Sequence, residues 1–481
     1  MSDLTLQIAA SGIEADEAEL DTSAQNLSNV STPGYAQEVV NLADVTPAAT
    51  SGVGQGVSVQ SVSENSSSLY DQLNLVSQGQ LGYANEAASL QGLAQNAFPE
   101  PSTTGLSSQL SQLWTDLSTL ATQPSSSAAQ ASVVNDANQV AQTLNSTYNQ
   151  LSDVAQQLSN DFEGEGTTNG GYVGQANQLI NQIATLNGDI VAGQNGGTNV
   201  NSLVDQRRQA VDQLGSLLGI RTTTDADGSM TVMSGGIQLV SSTNAVDLQA
   251  TGSASSADLA VETTSGDVLP AGGQIGALLT GVNTTIPQYQ SQLSSVADSL
   301  AGSLNALQSN GVSAAGVPGA TSSAAAPPYA GELLPSIFVN NSSATTYTPG
   351  GGSAQSIAVN PTLLSDPSLL ATAAGTSTAG SATIDPTTAQ AMAAVGQASG
   401  GPDDLYQSLV ALVGSQTSAA NNDQSSAQAL SDSTTAEVSS VEGVDTNQET
   451  VSMLTAQQAY QAVAAVINST TTALQALLEA V

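Results

Sequence analysis

The chain contains no cysteine, no histidine and no lysine, and its only cations are Arg207, Arg208 and Arg221. Each absence removes a class of function. Without cysteine there is no disulfide framework, and with neither thiol nor imidazole there is no Cys- or His-based catalysis. Nucleic-acid binding is excluded, because neutralising phosphates requires clustered Lys and Arg. Anionic membrane surfaces are disfavoured for the same reason. No run of about 18 apolar residues occurs, so no membrane-spanning helix is expected. The opening Met1-Ser-Asp-Leu-Thr-Leu-Gln-Ile8 lacks the basic flank and apolar stretch of a cleaved signal peptide. Export, for such a sequence, is expected by another route. Aromatic residues make up 3 % of the chain, too few to line a sugar cleft.

The formal charge of −37 arises from 3 basic and 40 acidic residues among 481, so bases are missing rather than acids added. Charged residues total 9 %, against about 25 % in ordinary soluble domains. Ser, Thr, Gln, Asn and Gly supply the polar surface instead. The self-repulsion of a surface built mainly from uncharged polar groups changes less as carboxylates titrate near pH 4 than that of one rich in acids and bases, which suits an acidic extracellular medium. A halophilic surface would instead add acids.

A chain of 481 residues is long enough for two or three domains. Its two ends carry the clearest apolar design. Leu6, Ile13, Leu20 and Leu27 recur every seven positions. At the other end Met453, Ala456, Tyr460, Val463, Ile467, Thr470, Leu474, Leu477 and Val481 alternate steps of three and four. Both are narrow seams of the coiled-coil type, and they are expected to pair with each other and then with other subunits. Between them, stripes at Leu106 to Leu120, Val140 to Leu158, Leu179 to Ile190, Leu203 to Leu218 and Ile275 to Leu307 predict long helices. The period changes to two after Ile220, where Arg221-Thr-Thr-Thr224, Asp225-Ala-Asp-Gly228 and Ser229 to Met233 read as a β-hairpin.

The fold class is therefore mainly α with a β-rich central part: an elongated helical bundle whose first and last helices pair as a coiled coil. Residues 1–62 form a core helix and extended segment that pairs with 440–481. Residues 63–308 form an elongated helical domain with a β insert at about 220–268. Residues 309–386, rich in Ala, Ser, Gly and Pro, read as a small outer insertion, either weakly specified β or a surface excursion. Return helices span 387–439, and the C-terminal helix spans 440–481.

No constellation carries catalytic, cofactor or metal chemistry. Asp225-Ala-Asp-Gly228 lacks the later bidentate Glu of a calcium loop and reads as a turn. Arg208 can pair along its helix with Asp205 and Asp212, a common local arrangement. Forty acids could bring two carboxylates together for glycoside hydrolysis, but nothing marks a pair.

Asn26-Leu-Ser-Asn29-Val-Ser-Thr-Pro33-Gly34-Tyr35, directly after an amphipathic helix, resembles the signature of bacterial flagellar axial proteins (rod, hook and hook-associated). The stretch from Asn201 to Leu214, with Asp205, Gln206 and Arg207, is followed by the hairpin and Gly235-Gly236; it is similar to the pattern of the flagellar hook-associated protein 1 family. So are Gly272 to Leu279 and Glu442-Gly-Val-Asp445 before the final helix. The chain departs from that family at Gln37 and Glu38, where Arg and Gln are common, and at Arg208, where an acid is common.

The resemblance implies an extracellular structural subunit that joins flagellar hook to filament and assembles through its terminal helices. It implies export through the flagellar type III channel without a cleaved signal peptide. The implied partners are a ring of its own copies, the hook protein, a second junction protein toward the filament, and an export chaperone on the C-terminal helix. Neither nucleic acid nor membrane is among them. The nearest alternative is another axial protein, hook or distal rod, which lacks the Asp-Gln-Arg block. A flagellum-associated peptidoglycan hydrolase would need a catalytic domain with paired acids.

Overall fold

The apolar stripes translate into long helices that share two adjoining cores. The computed structural model describes residues 2–32, 34–45, 54–164, 170–319, 333–341, 344–377 and 385–479. In the helical body, α2 (Ser68–Asn96), α3 (Leu106–Thr122), α4 (Ser127–Glu163), α5 (Gly171–Asn195) and α6 (Asn201–Leu218) follow one another with short connections. Leu106, Leu110, Leu113, Leu117 and Leu120 of α3 are all buried, as expected of apolar residues on one face of a 3.6-residue period. The Ser126 side chain accepts from the Ala129 amide and starts α4, the longest helix of this group.

The β-rich part is an antiparallel meander of β3 (Ile220–Thr224), β4 (Met230–Ser234), β5 (Ile237–Ser241) and β6 (Asn244–Ala245). Ile220 pairs with Ser234 and Thr224 with Met230, around the Asp225–Gly228 turn. Gly235 and Gly236 both take positive φ, +56° and +91°, which the tight turn into β5 requires. A second hairpin, β7 (Leu248–Thr251) with β8 (Ala260–Thr263), completes this region. Both pack with α5, α6 and the end of α4 around Phe162, Ile180, Leu214, Val240 and Val261.

The helical stripe from Ile275 to Leu307 is divided in the structure. Helix α7 (Gly273–Thr280) passes through a π-helical turn (Gly281–Thr285) into α8 (Ile286–Asn310). Pro287 sits at the start of α8 and has no N–H to give the preceding turn, a local cause for the widened winding. The extra turn also presents Asn283 to Leu259, whose N–H and C=O both bind its side-chain amide, at 3.0 and 2.7 Å.

The segment 309–386, read from composition as weakly specified or superficial, contributes its described part to the other core. Strands β9 (Val312–Ser313), β10 (Phe338–Asn340), β11 (Ile357–Val359) and β12 (Ala371–Ala373) alternate with the short helices α9 (Ser353–Ser356) and α10 (Pro361–Ser365). Phe338, Ile357, Leu363 and Leu370 are fully buried beside α3, α4 and α8. Asn305 of α8 exchanges two hydrogen bonds with the Phe338 backbone, both 2.9 Å. Gln308 holds Leu369 and Ala371 in the same way. Small side chains and helix amides fix this segment where long apolar runs are absent.

After α11 (Thr387–Ala394), the long α12 (Pro402–Glu442) runs back antiparallel to α2, with Gln78 bonded to Ser431 and Gln424 to Asn85. Helix α13 (Thr446–Glu479) then lies antiparallel to α1 (Ser2–Asn29), Val463 facing Gly12 and Glu449 facing Asn26. The antiparallel hairpin β1 (Glu38–Asp44) and β2 (Val57–Glu64) packs on α1, where Ser11 Oγ accepts from the Val57 amide. Among the described residues no helix is long and apolar enough to cross a membrane.

Helix α2 approaches α6 closely because glycine faces backbone there. A Cβ on Gly82 would stand 2.2 Å from the Ser216 carbonyl oxygen. Gly82→Ala should therefore lower stability by about 1–3 kcal/mol through overpacking, outweighing the roughly 1 kcal/mol that alanine adds to a helix. Thermal unfolding is the readout, and an unchanged or raised midpoint would contradict this packing.

Candidate functional site

The residues that chemistry singles out converge where the terminal pair of helices meets the helical body. At the end of α1, Asn26 is almost fully buried, 1 % exposed. Its Nδ2 donates to the Glu38 carbonyl at 2.9 Å and to Glu449 Oε1 of α13 at 3.1 Å. Its Oδ1 accepts from the Glu38 amide and from the Tyr35 hydroxyl, both at 2.8 Å. One amide side chain thus acts as a peptide group toward β1 and links α1, the turn and α13. Gln37 adds a donor to the same Glu449 oxygen at 2.6 Å, and its backbone N–H reaches the Glu442 carbonyl at 2.7 Å. Glu442 accepts from the Ser67 amide at 2.7 Å, beside the start of α2, and Asp445 caps the first turn of α13 through the Asn447 amide at 2.8 Å.

The second half of the joint is Arg208. It donates to Glu64 Oε2 at 2.7 Å, to Asp205 Oδ1 at 3.1 Å and to the Gly34 carbonyl at 3.0 Å, and it lies 3.7 Å from Asp71. Asp205 also receives the Ala36 amide. The local pairing expected from sequence holds for Asp205 only. Asp212 accepts from Asn74 at 3.4 Å, while Arg208 reaches across to β2 and α2. An arginine fork suits this use, since several planar donors can serve separate oxygens.

Arg207 points elsewhere. It is 4 % exposed and donates to Asn187 Oδ1 at 2.9 Å and to the Gly228 carbonyl at 2.8 Å, locking the hairpin turn onto α5 and α6. Gln206 is exposed, and Asn29 makes only local bonds at the helix end. Gly34 turns the chain at φ +79°. Pro33 lies outside the described residues.

The terminal stripes are placed differently from the periodic reading. In α1 the buried positions are Ala15, Thr22 and Asn26, with Ala9 and Ser23. Leu6, Ile13 and Leu20 are half-buried and Leu27 is exposed. In α13, Ala456 is buried; Met453, Val463, Ile467, Thr470 and Leu474 are half-buried, and Tyr460 is exposed. The side chains of Leu477 and Val481 lie outside the described residues. The fully buried positions of the two helices are small or polar, Val463 faces Gly12, and the larger apolar side chains stay partly open. Periodicity could not find Glu38, Glu64, Glu442 or Glu449. The block Glu442-Gly-Val-Asp445 was the one sequence signal near them.

Carboxylates crowd this joint around a single guanidinium. Burial pushes Glu64 up to about 7, although Arg208 pulls in the opposite direction. Burial likewise raises Asp212 to about 6, and raises Asp71, Asp205 and Glu442. Tyr35 is raised by burial and by Glu38, Asp205, Glu449 and Glu64 around it. Among the described residues no His, Cys, Asp and Glu cluster could hold a metal ion.

Comparison with known proteins places this architecture among flagellar hook-associated proteins. Residues 93–321 match the family model described as the flagellar hook-associated protein FlgK helical domain. Flagellar hook-associated protein 1 of Escherichia coli K12 is 26 % identical over 325 residues, covering 64 % of this chain and 57 % of that protein. Its namesake from Bacillus subtilis strain 168 is 28 % identical over 232 residues, 46 % of this chain and 44 % of that one. The chain thus spans little more than half the length of the curated relatives it matches. In fold it is similar to the flagellar hook junction protein FlgK from Burkholderia pseudomallei, with a TM-score of 0.62 and 17 % identity over 77 % of this chain and all of that one. The family model, the curated relatives and the solved structure thus all show a likeness to flagellar hook-associated protein 1.

Arg208→Gln removes the one cation from this group of acids. Breaking a nearly buried pair costs about 3–5 kcal/mol, so urea unfolding at pH 8 should show a loss of that order. A loss under about 1 kcal/mol, the value of a surface pair, would contradict the joint as described.

Proposed function

We propose that this protein is a structural, non-catalytic subunit of the bacterial flagellum that forms the junction between hook and filament. The similarity to flagellar hook-associated protein 1 supports the flagellar assignment. The observation that carries the assembly mechanism is the unfinished surface of the paired terminal helices. Val451 is 64 % exposed, Leu454 54 % and Val466 45 %, on a helix whose opposite face already lies on α1. Burying each such side chain stabilises by about 1.5–3 kcal/mol, which favours packing against the same helices of adjacent axial subunits. In this reading the terminal helices form a coiled coil in the inner wall of the tube, through Leu6, Ile13, Leu20, Leu27, Met453, Tyr460, Val463, Ile467, Leu474, Leu477 and Val481. The helical body is the next shell and 309–386 the outermost.

The partners in this reading are a ring of identical subunits, the hook protein on one side and a second junction protein on the other. An export chaperone covers the C-terminal helix before the chain passes through the flagellar type III channel, without a cleaved signal peptide. An isolated seam helix that cannot bury its apolar face is marginal in water, and packing against the same helices of adjacent subunits completes that burial.

Val451→Asp with Leu454→Asp tests this in cells lacking the wild-type protein. Both positions are open in the single chain, so the purified variant should melt like wild type. The cells should retain hooks, shed filaments and secrete flagellin. Normal filaments on such cells would refute the proposal, and loss of hooks would assign the protein to another axial position.

A further inference from the structure

The joint contains more acid than its single arginine can neutralise, and the geometry makes one member conspicuous. The Glu64 side chain is 7 % exposed. One of its oxygens takes Arg208, while the other, Oε1, is buried with no hydrogen-bond partner among the described residues. A carboxylate oxygen in that position is costly, whereas a carboxylic acid is neutral there. The groups facing it come from every element packed at the joint. From α6 come Asp205, Arg207 and Arg208; from the turn and β1, Tyr35 and Glu38. Asp71 of α2 shares Arg208, Asp212 and Glu442 lie within its field, and Glu449 of α13 stands beside Tyr35. Arg207 is turned to the hairpin and adds no contact.

We propose that the joint between the terminal helices and the helical body is fastened by proton uptake, with the Glu64 carboxyl as the acceptor. The sign follows from linkage: a carboxyl that binds its proton more tightly in the folded joint than in the open chain stabilises the joint as pH falls. The increase begins near the folded value of about 7 for Glu64. It levels off below the ordinary glutamate value near 4.3. This is opposite to acid denaturation driven by paired carboxylates. Asp385, held low by Ser377, Thr387 and Ala374 in another part of the molecule, follows the ordinary sign and loses its contribution only in stronger acid. A consequence resting on the proposed export is that the joint is slack at cytoplasmic pH and tight in an acidic medium outside.

The test uses the full chain in solution and needs no assembly, so its outcome is separate from that of the hook–filament reading. Hydrogen exchange of the Gln37 and Val57–Glu64 amides, corrected for intrinsic rates, is followed from pH 8 to pH 4. Protection should rise between pH 7 and 5 by up to about tenfold per pH unit. Glu64→Gln should be at least as protected as wild type at pH 8 and should lose most of the rise. Flat or falling protection on acidification, amides unprotected at every pH, or an undiminished rise in Glu64→Gln would each overturn the proposal.

Discussion

A side-chain amide standing in for a peptide group is the interaction on which this molecule depends. Asn26 gives a hydrogen bond to the carbonyl of Glu38 and takes one from its amide, as a neighbouring strand would. The same pairing recurs at Asn177 with Leu248, Asn187 with Met230, Asn283 with Leu259 and Asn305 with Phe338. Each joins a helix to an extended segment that would otherwise leave buried backbone groups unpaired. A chain with three cations has few charge pairs with which to tie its elements together. Neutral amides do so without a counter-ion and keep their hydrogen bonds whatever the pH.

The arrangement has a mechanical consequence. Helices α2 and α12 run as an antiparallel strut from the core around Tyr289 to the joint, where Glu442 and Asp445 pass the chain into α13. Displacement of the terminal pair is opposed at Asn26 and Gln37, which share Glu449 of α13, and at Arg208, which holds β2 and α2. Among the described residues the ion pairs all centre on Arg208, the exception to the amide rule, and it is there that protons are taken up.

Much of the body was legible in the sequence because its helices bury strict stripes. Leu106 to Leu120, Leu179 to Ile190 and the Asp-Gly hairpin fall where period and turn chemistry predict them. What was not legible depends on contacts distant in sequence. Helical spacing offers Arg208 the partners Asp205 and Asp212, but only folding brings Glu64 and Asp71 to it. Period marks the large apolar residues of the terminal stripes, but it does not mark Gly12, which faces Val463, or the buried Ala15, Thr22, Asn26 and Ala456. In the segment 309–386 Ala and Ser dominate, so period and composition say little about it; Phe338, Ile357, Leu363 and Leu370 are buried, beside backbone groups held by Asn305 and Gln308 of α8. The widened turn before Pro287 interrupts a stripe that by period alone reads as one helix.

A neutral amide, Asn26, holds the terminal helices to the body. Asn26→Leu keeps most of the side-chain volume and removes every hydrogen bond at the node, leaving buried partners that cost about 1–3 kcal/mol each. Calorimetry on the full-length variant tests the claim directly. The account predicts that α1 and α13 melt in a separate, earlier transition while the body retains its wild-type midpoint. A single transition at the wild-type temperature would contradict it.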